Sequence, residues 1–497
     1  MARVETTSGK VEGREAGDVE AFLGVPYAAP PTGRLRFREP EPAASWDGVR
    51  PAVEFGPFCQ QVVDPVQTEI WALEGDSGED CLTLNVWTPA ADSGRRPVMV
   101  WIHGGAFRVG AARRNVSQGG PLAIRGDVVV VTLNYRLHAF GFLDLSELGG
   151  AEYARSGNLG LLDQVAALRW VQANIDRFGG DPENVTLFGE SAGGISVGAL
   201  LGSSHASGLF HRAVAQSGTS NLVREPEQAR AVTRAFAKVA KLETVEELRA
   251  LSTPELVQIA AGDLSPTADL AFGPVADGDV VAHDALEATA TGPNAHVPVL
   301  HGTNLDEYRY WYMEDPRLET LRPEHLRRAI ESAGAAHDAV VDAHRKGRPA
   351  LSENELAVAL IGEMAFRMPH IRMSELRSAA GCKTWMYLFA CQSPVQDGRL
   401  GAAHAMDIPF VFGTLDVPNV PKLIGDAPER SRLRDAMQSA WLSFARSGDP
   451  NHPGLPEWPT YDTGDRATMR FDLESRLERD PLGDERLSWG EARFRTV

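Results

Sequence analysis

Short apolar runs rich in β-branched residues recur along this chain, and they constrain its fold more than any other feature. Runs of this kind indicate strands that are buried on both faces, and segments with helical spacing lie between them. The pattern predicts an α/β protein whose central sheet is mostly parallel. The runs that we assign to strands are residues 98–102, 128–133, 185–188, 213–216, 297–300 and 384–389.

Helical signals fill the intervals between these runs. Residues 159–178 have apolar side chains at helical spacing and end before Gly179, so we predict a crossover helix there. Two further segments, 221–261 and 323–376, have helical patterns and no apolar strand run. We interpret both as helical insertions, which either roof a pocket or thicken the scaffold, within a single domain over residues 1–497.

The first insertion contains two specific helix starts. Thr244 and Glu247 have the spacing of a capping box, in which each side chain accepts a hydrogen bond from the other's backbone. The pair Thr253-Pro254 opens another helix, because proline is favoured in the first turn.

Composition and charge exclude several classes of partner. The 497 residues are 43% hydrophobic and 23% charged, an ordinary globular balance, and the net charge of −18 opposes binding to nucleic acid or to anionic membranes. The N-terminal residues lack the apolar core of a secretory signal, and no apolar run has the length of a membrane span. We therefore expect a cytoplasmic monomer or homodimer that does not insert into membranes.

The four cysteines are Cys59, Cys81, Cys382 and Cys391, and their spacing matches no zinc motif. We expect ordinary buried thiols and no metal. Cys59 and Cys81 could close a short loop, although a reducing cytoplasm disfavours a lasting disulfide.

A serine stands between glycines directly after one predicted strand. Residues 185–194 read VTLFGESAGG, so Ser191 is the centre of a G-x-S-x-G pattern at a strand-to-helix junction. The glycines allow a sharp turn that projects the serine hydroxyl above the sheet, as in the nucleophile elbow of α/β-hydrolases. We therefore predict that Ser191 is a nucleophile.

A serine nucleophile requires a histidine base and a carboxylate that orients the histidine. In this fold the order along the chain is serine, acid, histidine. Asp306 and Glu307 follow the strand run at 297–300, and His404 follows the run at 384–389. This placement selects His404 from the 13 histidines and leaves the acid open between Asp306 and Glu307.

A glycine-rich loop, WIHGGAF at 101–107, ends another predicted strand. Backbone N–H groups in such a loop stabilise the negatively charged oxygen of a tetrahedral intermediate. We expect Gly105, Ala106 and Ala192 to donate these hydrogen bonds and Gly104 to make the turn. His103 is a rival base, but we interpret it as a structural residue that holds the loop.

The motifs together resemble the type-B carboxylesterases, the family of cholinesterases and liver carboxylesterases, and most of all their bacterial para-nitrobenzyl-esterase branch. The similarity runs nearly from end to end. It is carried by FLGVPYAAPPTGRLRF at 22–37, EDCLTLNVWTP at 79–89, VMVWIHGGAF at 98–107, the long segment at 158–194, GLFHRAVAQSG at 208–218, HAMDIPFVFG at 404–413 and FARSGDPN at 444–451.

The resemblance implies an α/β-hydrolase fold and assigns the site residues one by one. The implied catalytic residues are Ser191, Glu307 and His404, the implied oxyanion donors are Gly105, Ala106 and Ala192, and the residues expected to support them are Gly104, Glu190 and Ser217, the last near the acid. No cofactor or metal is implied.

Two positions depart from the pattern of many family members. Ala106 replaces a third glycine, which is compatible because only its N–H is needed. Tyr308 replaces a glycine after Glu307, which weakens the preference for Glu307 over Asp306 as the acid. The resemblance also revives a Cys59–Cys81 disulfide, which secreted members have.

The function that follows is hydrolysis of small to medium carboxylic esters through an acyl-enzyme on Ser191, with water as second substrate. The same site could hydrolyse carbamates or amides. A binding protein of this fold without activity is the alternative from another class, since the fold also serves adhesion. We expect the HGGAF loop and a set of apolar and aromatic side chains to line the pocket, namely Ile70, Trp71, Tyr308, Tyr310, Trp311 and Tyr312.

Overall fold

An 11-stranded sheet forms the centre of the protein. The structure is a computed structural model that describes residues 2–264, 270–426 and 428–494. The strands are β1 (Arg3–Glu5), β2 (Lys10–Glu12), β3 (Arg14–Ala16), β4 (Val19–Pro26), β5 (Val49–Pro51), β6 (Phe58–Cys59), β7 (Ser77–Gly78), β8 (Thr83–Thr88), β9 (Arg96–Ile102), β10 (Val129–Leu133), β11 (Gly180–Glu190), β12 (Arg212–Gln216), β13 (Val299–Asn304), β14 (Thr384–Phe389), β15 (Ala467–Phe471) and β16 (Arg476–Arg479).

The central sheet has the order β16-β15-β14-β13-β12-β11-β9-β10-β8-β4-β3. Every pairing from β15 across to β10 is parallel, and the outer strands at both edges pair antiparallel. The prediction of an α/β-hydrolase fold with a mostly parallel sheet is confirmed.

Helices cover both faces of the sheet. They are α1 (Pro65–Glu69), α2 (Gly120–Gly126), α3 (His138–Phe142), α4 (Ser146–Gly149), α5 (Leu159–Asn174), α6 (Ala192–Leu201), α7 (Pro226–Ala240), α8 (Val245–Ala250), α9 (Thr253–Ala260), α10 (Ala285–Thr291), α11 (Arg327–Ser332), α12 (His337–Gly347), α13 (Glu353–Gly362), α14 (Met368–Ala379), α15 (Ile408–Phe412), α16 (Pro421–Ile424), α17 (Arg430–Ser447) and α18 (Gly483–Ser488). A π-helical segment, Glu363–Arg367, joins α13 to α14.

The strand β9 shows why both faces must be covered. Val98, Val100 and Ile102 belong to one hydrophobic cluster, whereas Met99 and Trp101 belong to another. Because successive side chains of a strand point to opposite faces, this strand supplies the core on both sides of the sheet.

The crossover helix is shorter than the predicted 159–178. The α-helix α5 ends at Asn174, and Ile175–Phe178 form a 3₁₀ turn that stops at Gly179, whose φ is 80°. Glycine adopts this left-handed conformation without steric cost, so the 3₁₀ turn that follows the α-helix stops at the predicted glycine.

The strand β13 lies further along the chain than predicted. It runs over Val299–Asn304, whereas the apolar run suggested 297–300. Pro298 precedes the strand, and Gly302 lies inside it. Position 302 requires glycine because a Cβ there would come within 2.3 Å of the Tyr387 carbonyl oxygen. Glycine marks close approach of a neighbouring strand here, and not the end of the strand.

The segments predicted as helical insertions do contain helices. Residues 221–261 hold α7, α8 and α9, and the predicted capping box of Thr244 and Glu247 is present at the start of α8. Residues 323–376 hold α11, α12, α13 and most of α14. The organisation as one domain stays a prediction.

The structure gives Cys59 and Cys81 as free, buried thiols, so it does not support a disulfide between them. The backbone N–H of Leu137 donates to the Cys59 sulfur at 3.3 Å. No helix within the described ranges is both long and apolar enough to span a bilayer.

A buried ion pair ties α5 to the loop after β10. Asp163 accepts hydrogen bonds from the backbone N–H of Arg136 at 3.0 Å, from its Nε at 2.8 Å and from its Nη2 at 2.7 Å. Both side chains are almost fully shielded from solvent. Removing one partner of such a pair strongly destabilises the fold, because the remaining charge would be buried without a counterion.

We expect Asp163→Ala to lower the free energy of unfolding by about 3–5 kcal/mol, because it leaves the Arg136 guanidinium unpaired in the core. Denaturant titration followed by circular dichroism measures this change. Glu152→Ala is the control, since Glu152 pairs with Arg38 but is 68% exposed, and its removal should cost less than about 1 kcal/mol. Equal losses in both variants would contradict the prediction.

Candidate active site

Ser191 lies at the sharp turn between β11 and α6, with φ 57° and ψ −122°. This is a rare conformation for a residue with a side chain, and neighbouring backbone holds it. The Ser191 N–H donates to the Gln216 carbonyl at 2.9 Å, and a Cβ at Gly193 would lie 2.0 Å from the Ile102 carbonyl oxygen. The glycine is therefore required by close packing, and the turn is fixed between two neighbouring strands.

His404 is paired with Glu307, and both are buried. The Nδ1 of His404 donates to Oε2 of Glu307 at 2.6 Å, and the backbone N–H of Asn304 donates to Oε1 at 2.7 Å. The main chain adds a bond from the His404 N–H to the Glu307 carbonyl at 3.1 Å. The acid and the ring are therefore held in one orientation, with Nε2 as the free nitrogen.

Asp306, the other candidate acid, has a different role in the structure. Its Oδ2 accepts the backbone N–H of Ala402 at 3.0 Å and so holds the loop that leads to His404. Tyr308, the departure that weakened the choice of Glu307, stacks its ring on Trp311 with 4.6 Å between centroids. The geometry thus favours Glu307 over Asp306.

Glu190 contacts the free nitrogen of His404. Its Oε1 lies 3.1 Å from His404 Nε2, within ion-pair distance, although neither atom meets hydrogen-bond geometry. Among the described residues, no hydrogen bond joins Ser191 to His404. The sequence placed Glu190 among the supporting residues, and the structure brings it directly against the imidazole.

The charges around His404 shift its protonation. Burial alone would lower the pKa of His404, but the negative charges of Glu190 and Glu307 outweigh burial and raise the pKa to about 9. Burial raises the pKa of Glu190 to about 8, against the attraction of His404, with further repulsion from Asp407 and Glu307. At neutral pH the Glu190–His404 contact therefore retains a proton.

The glycine loop lies directly over Ser191. A Cβ at Gly104 would come within 2.7 Å of Glu190 Oε2 and 3.0 Å of Ser191 Cβ. Gly105 has φ 120° and Ala106 has φ 52°, and the Gly105 carbonyl accepts the N–H groups of residues 108 and 109. In the described part of the chain, the N–H groups of Gly105 and Ala106 have no acceptor.

Ala192 and Ser217 flank the serine on the other side. Ala192 is the first residue of α6, so its N–H has no acceptor within the helix. The backbone N–H of Ser217 donates to the Gly302 carbonyl at 2.9 Å, but its buried hydroxyl makes no hydrogen bond to any described residue. The structure therefore brings Ala192 to Ser191 but shows no bond between Ser217 and the acid.

His103 supports the glycine loop. Its ring stacks on Tyr135 with 4.5 Å between centroids, and the Tyr135 hydroxyl donates to the His103 carbonyl at 2.9 Å. Burial lowers the pKa of His103 to about 3, so the ring stays neutral. These contacts agree with a structural role.

Aromatic rings surround His404. The centroids of Phe366, Trp311 and Tyr310 lie 4.8, 5.0 and 6.1 Å from that of His404. The Trp71 Nε1 donates to the Tyr310 hydroxyl at 2.9 Å. Trp71, Tyr310 and Trp311 are in the set expected from the sequence, whereas Phe366, on the π-helical segment, is not.

Tyr312, also expected in the pocket, points elsewhere. Its hydroxyl donates to Asn354 Oδ1 at 2.6 Å, and the Arg399 guanidinium lies 4.4 Å from its ring. The aromatic run at 308–312 is therefore divided between the reacting centre and the outer helices.

A buried carboxyl that the sequence analysis did not select lies behind the site. Oδ2 of Asp407 accepts Nε2 of Gln216 at 2.8 Å and the Tyr387 hydroxyl at 2.9 Å. Burial raises the pKa of Asp407. Its signal in the sequence is an acid within the apolar stretch that follows His404.

One group of side chains outside this site has metal-binding residue types, namely His344, Glu363 and Glu485. Arg348 lies 2.6 Å from Glu485 and 2.9 Å from Glu363, and Arg367 lies 2.7 Å from Glu363. The two guanidinium groups neutralise the two carboxylates and would repel a divalent cation. We therefore assign no metal to this group.

Comparisons with known proteins agree with this geometry. The sequence profile described as the carboxylesterase family matches residues 1–488. The chain belongs to the carboxylesterase family. It is therefore a serine ester hydrolase with the α/β-hydrolase fold, which confirms the resemblance seen in the sequence.

Individual carboxylesterase relatives cover nearly the whole chain. The para-nitrobenzyl esterase of Bacillus subtilis is 37% identical over 97% of both chains, and the phenmedipham hydrolase of Pseudarthrobacter oxydans is 35% identical over 93% of this chain and 94% of its own. The crystal structure of Geobacillus stearothermophilus carboxylesterase EST55 at pH 6.2 superposes with a TM-score of 0.89 at 41% identity, covering 98% of this chain and 99% of that one.

Gly104→Ala tests the close approach of the glycine loop to Ser191. The added methyl group would press on Glu190 and Ser191 and displace the N–H groups of Gly105 and Ala106, the expected oxyanion donors, so we expect kcat for ester hydrolysis to fall by about 100-fold or more. Steady-state kinetics with 4-nitrophenyl butyrate measures the loss. The control is Gly78→Ala, where a Cβ meets nothing within 4 Å. Near wild-type kcat for Gly104→Ala would refute the prediction.

Proposed function

We propose that this carboxylesterase hydrolyses small to medium esters through an acyl-enzyme formed on Ser191, with His404 as base and Glu307 as the acid that orients it. The observation that carries this proposal is the buried contact of 2.6 Å between His404 Nδ1 and Glu307 Oε2, with Ser191 on a strained turn nearby. The order serine, acid, histidine along the chain supports it.

In the first step Ser191 Oγ attacks the ester carbonyl carbon while its proton passes to His404 Nε2. The carbonyl oxygen becomes negative and accepts hydrogen bonds from the N–H groups of Gly105, Ala106 and Ala192. The imidazolium then gives its proton to the alcohol oxygen as the carbon–oxygen bond of the ester breaks. The second step repeats this sequence with water, which releases the acid and restores Ser191.

Glu190 sets the resting protonation of the base. Its carboxyl lies against His404 Nε2, the nitrogen that must accept the serine proton. The imidazole has to exchange this contact for one with Ser191 before the attack. Glu190 therefore opposes the start of the reaction, and its charge favours the imidazolium that forms during it.

The rings around His404 determine which esters are accommodated. Phe366 and Trp311 lie within 5.0 Å of its ring centroid and give the reacting centre an apolar wall. Such a wall favours aliphatic or aromatic groups of modest size by excluding water from their surface. The net charge of −18 disfavours binding to nucleic acid. We retain the expectation of a cytoplasmic monomer or homodimer.

Ser191→Ala should reduce hydrolysis of 4-nitrophenyl butyrate by about 1000-fold or more, because no other hydroxyl lies on the strained turn. An organophosphate should add to the wild-type protein at Ser191, as seen by mass spectrometry of its peptides. Ser207→Ala, which removes an exposed hydroxyl, is the matched control and should leave both readouts unchanged. Labelling of another residue, or substantial activity in Ser191→Ala, would disprove the assignment.

Glu190→Gln should shift the acidic limb of the kcat/KM profile to lower pH. Glu190 raises the pKa of His404, and the neutral imidazole is the form that accepts the serine proton, so activity rises with pH through this pKa. Removing the charge lowers the pKa, and a partner at this distance accounts for about 1 pH unit or more.

The control is Glu183→Gln, which removes the same charge from an exposed position of β11. It should leave the pH profile in place. A limb that stays fixed or moves to higher pH in Glu190→Gln would show that Glu190 does not set the protonation of His404.

A further inference from the structure

A buried arginine near the reacting centre has almost no partners. Arg114 lies in the loop between β9 and α2 and is 7% exposed. Its Nη2 donates to Gln67 Oε1 at 2.5 Å, and its guanidinium lies 5.3 Å from the centroid of the Trp71 ring. Its Nε is buried without an acceptor among the described residues.

Three more deeply buried arginines each have several partners. Arg136 is paired with Asp163, Arg224 donates to the carbonyls of Ala271, Gly273 and Phe142, and Arg377 donates to the carbonyls of Thr289, Val297 and Lys383 and to Thr384 Oγ1. Arg114 has five N–H groups and one side-chain acceptor, and no acid in the described ranges lies within ion-pair distance. A buried charge in this condition is costly, so an anion from outside would be favoured.

Arg114 lies beside the aromatic residues that face His404. Trp71, which the guanidinium contacts, donates to the Tyr310 hydroxyl at 2.9 Å, and the Tyr310 ring lies 6.1 Å from the His404 ring. Burial lowers the pKa of Arg114, and the negative charge of Glu190 opposes this effect. The Arg114 guanidinium is therefore connected to His404 through the contacts of Trp71 and Tyr310.

No carboxyl group in the described ranges forms a direct ion pair with Arg114. Glu307 is already paired with His404. Glu190 lies against His404 Nε2 at 3.1 Å and forms no ion pair with Arg114. Asp64 accepts the backbone N–H of Gln67 at 2.9 Å and caps α1.

We propose that Arg114 binds a carboxylate carried by the substrate, so that the preferred esters have a free carboxylate on either the acyl or the alcohol part. The inference rests on the proposed ester hydrolysis at Ser191 and names a substrate class for it. Hydrogen bonds from a guanidinium to a carboxylate are charge-assisted and geometrically specific. A contribution of this kind corresponds to about 10- to 100-fold in kcat/KM.

Two pairs of esters test the proposal, and they distinguish the two positions of the carboxylate. On the acyl side, mono(4-nitrophenyl) glutarate is compared with 4-nitrophenyl pentanoate. On the alcohol side, 3-acetoxybenzoate is compared with 3-acetoxybenzamide. In at least one pair, the ratio of kcat/KM for the anionic ester to that for the neutral one should fall about 10- to 100-fold in Arg114→Met, chiefly through KM.

Arg113→Met is the matched control, because it removes the same charge from the neighbouring residue, whose guanidinium lies 5.4 Å from the Phe55 ring. It should leave both ratios within about twofold of wild type. Arg114→Lys keeps the charge and should retain part of the preference, though less than wild type since a lysine lacks the planar pair of donors.

The outcomes separate this inference from the proposed function. The inference fails and the function stands if the wild-type enzyme cleaves both neutral esters but Arg114→Met leaves the ratio of kcat/KM for the anionic ester to that for the neutral ester unchanged in both pairs. If no ester is cleaved through Ser191, the proposed function fails. Should Arg114→Met not fold, the wild-type enzyme decides alone: a preference for the neutral ester in both pairs would overturn the proposal.

Discussion

The close packing of main chain around Ser191 is the constraint on which the rest of the site depends. A Cβ at Gly194 would lie 2.7 Å from the Gln216 carbonyl oxygen, and one at Gly218 would lie 2.3 Å from that of Ser191. The strained turn is therefore clamped between β9 and β12, whose own positions follow from the buried sheet. A conformation that costs about 1–3 kcal/mol persists because the surrounding backbone leaves no alternative.

Three buried carboxyl groups surround one imidazole, and their surroundings give them different roles. Glu307 is fixed by the Asn304 N–H and by His404, and Asp407 is held by two side-chain donors. Glu190 has an unpartnered Oε1 that lies against His404 Nε2. Burial raises the pKa of both Glu190 and Asp407. Carboxyl groups in one site therefore need not carry the same charge at a given pH.

The parts of the site that follow from local sequence were predicted from it. The strand-to-helix turn at Ser191 and the glycine loop depend on short-range signals, and the choice of His404 required only chain order. The contact of Glu190 with His404 depends on the folded arrangement of β11 against a loop more than 200 residues later. Phe366 was missed because the segment at 323–376 was interpreted only as helix, and helical periodicity does not indicate which face meets the reacting centre. The end of β13 was misplaced because the apolar run ends at Leu300, whereas the strand continues through polar and small residues to Asn304.

The π-helical segment Glu363–Arg367 connects the wall of the reacting centre to the C-terminal part of the chain. Arg367 binds Glu363 and the Pro481 carbonyl, and Arg348 joins Glu363 to Glu485 of α18. Phe366, which precedes Arg367, faces His404. The wide π-helical turn therefore directs Phe366 towards His404 and Arg367 towards Glu363 and Pro481. The position of Phe366 beside His404 is thus linked through these ion pairs to α18, a helix that contributes no reacting group.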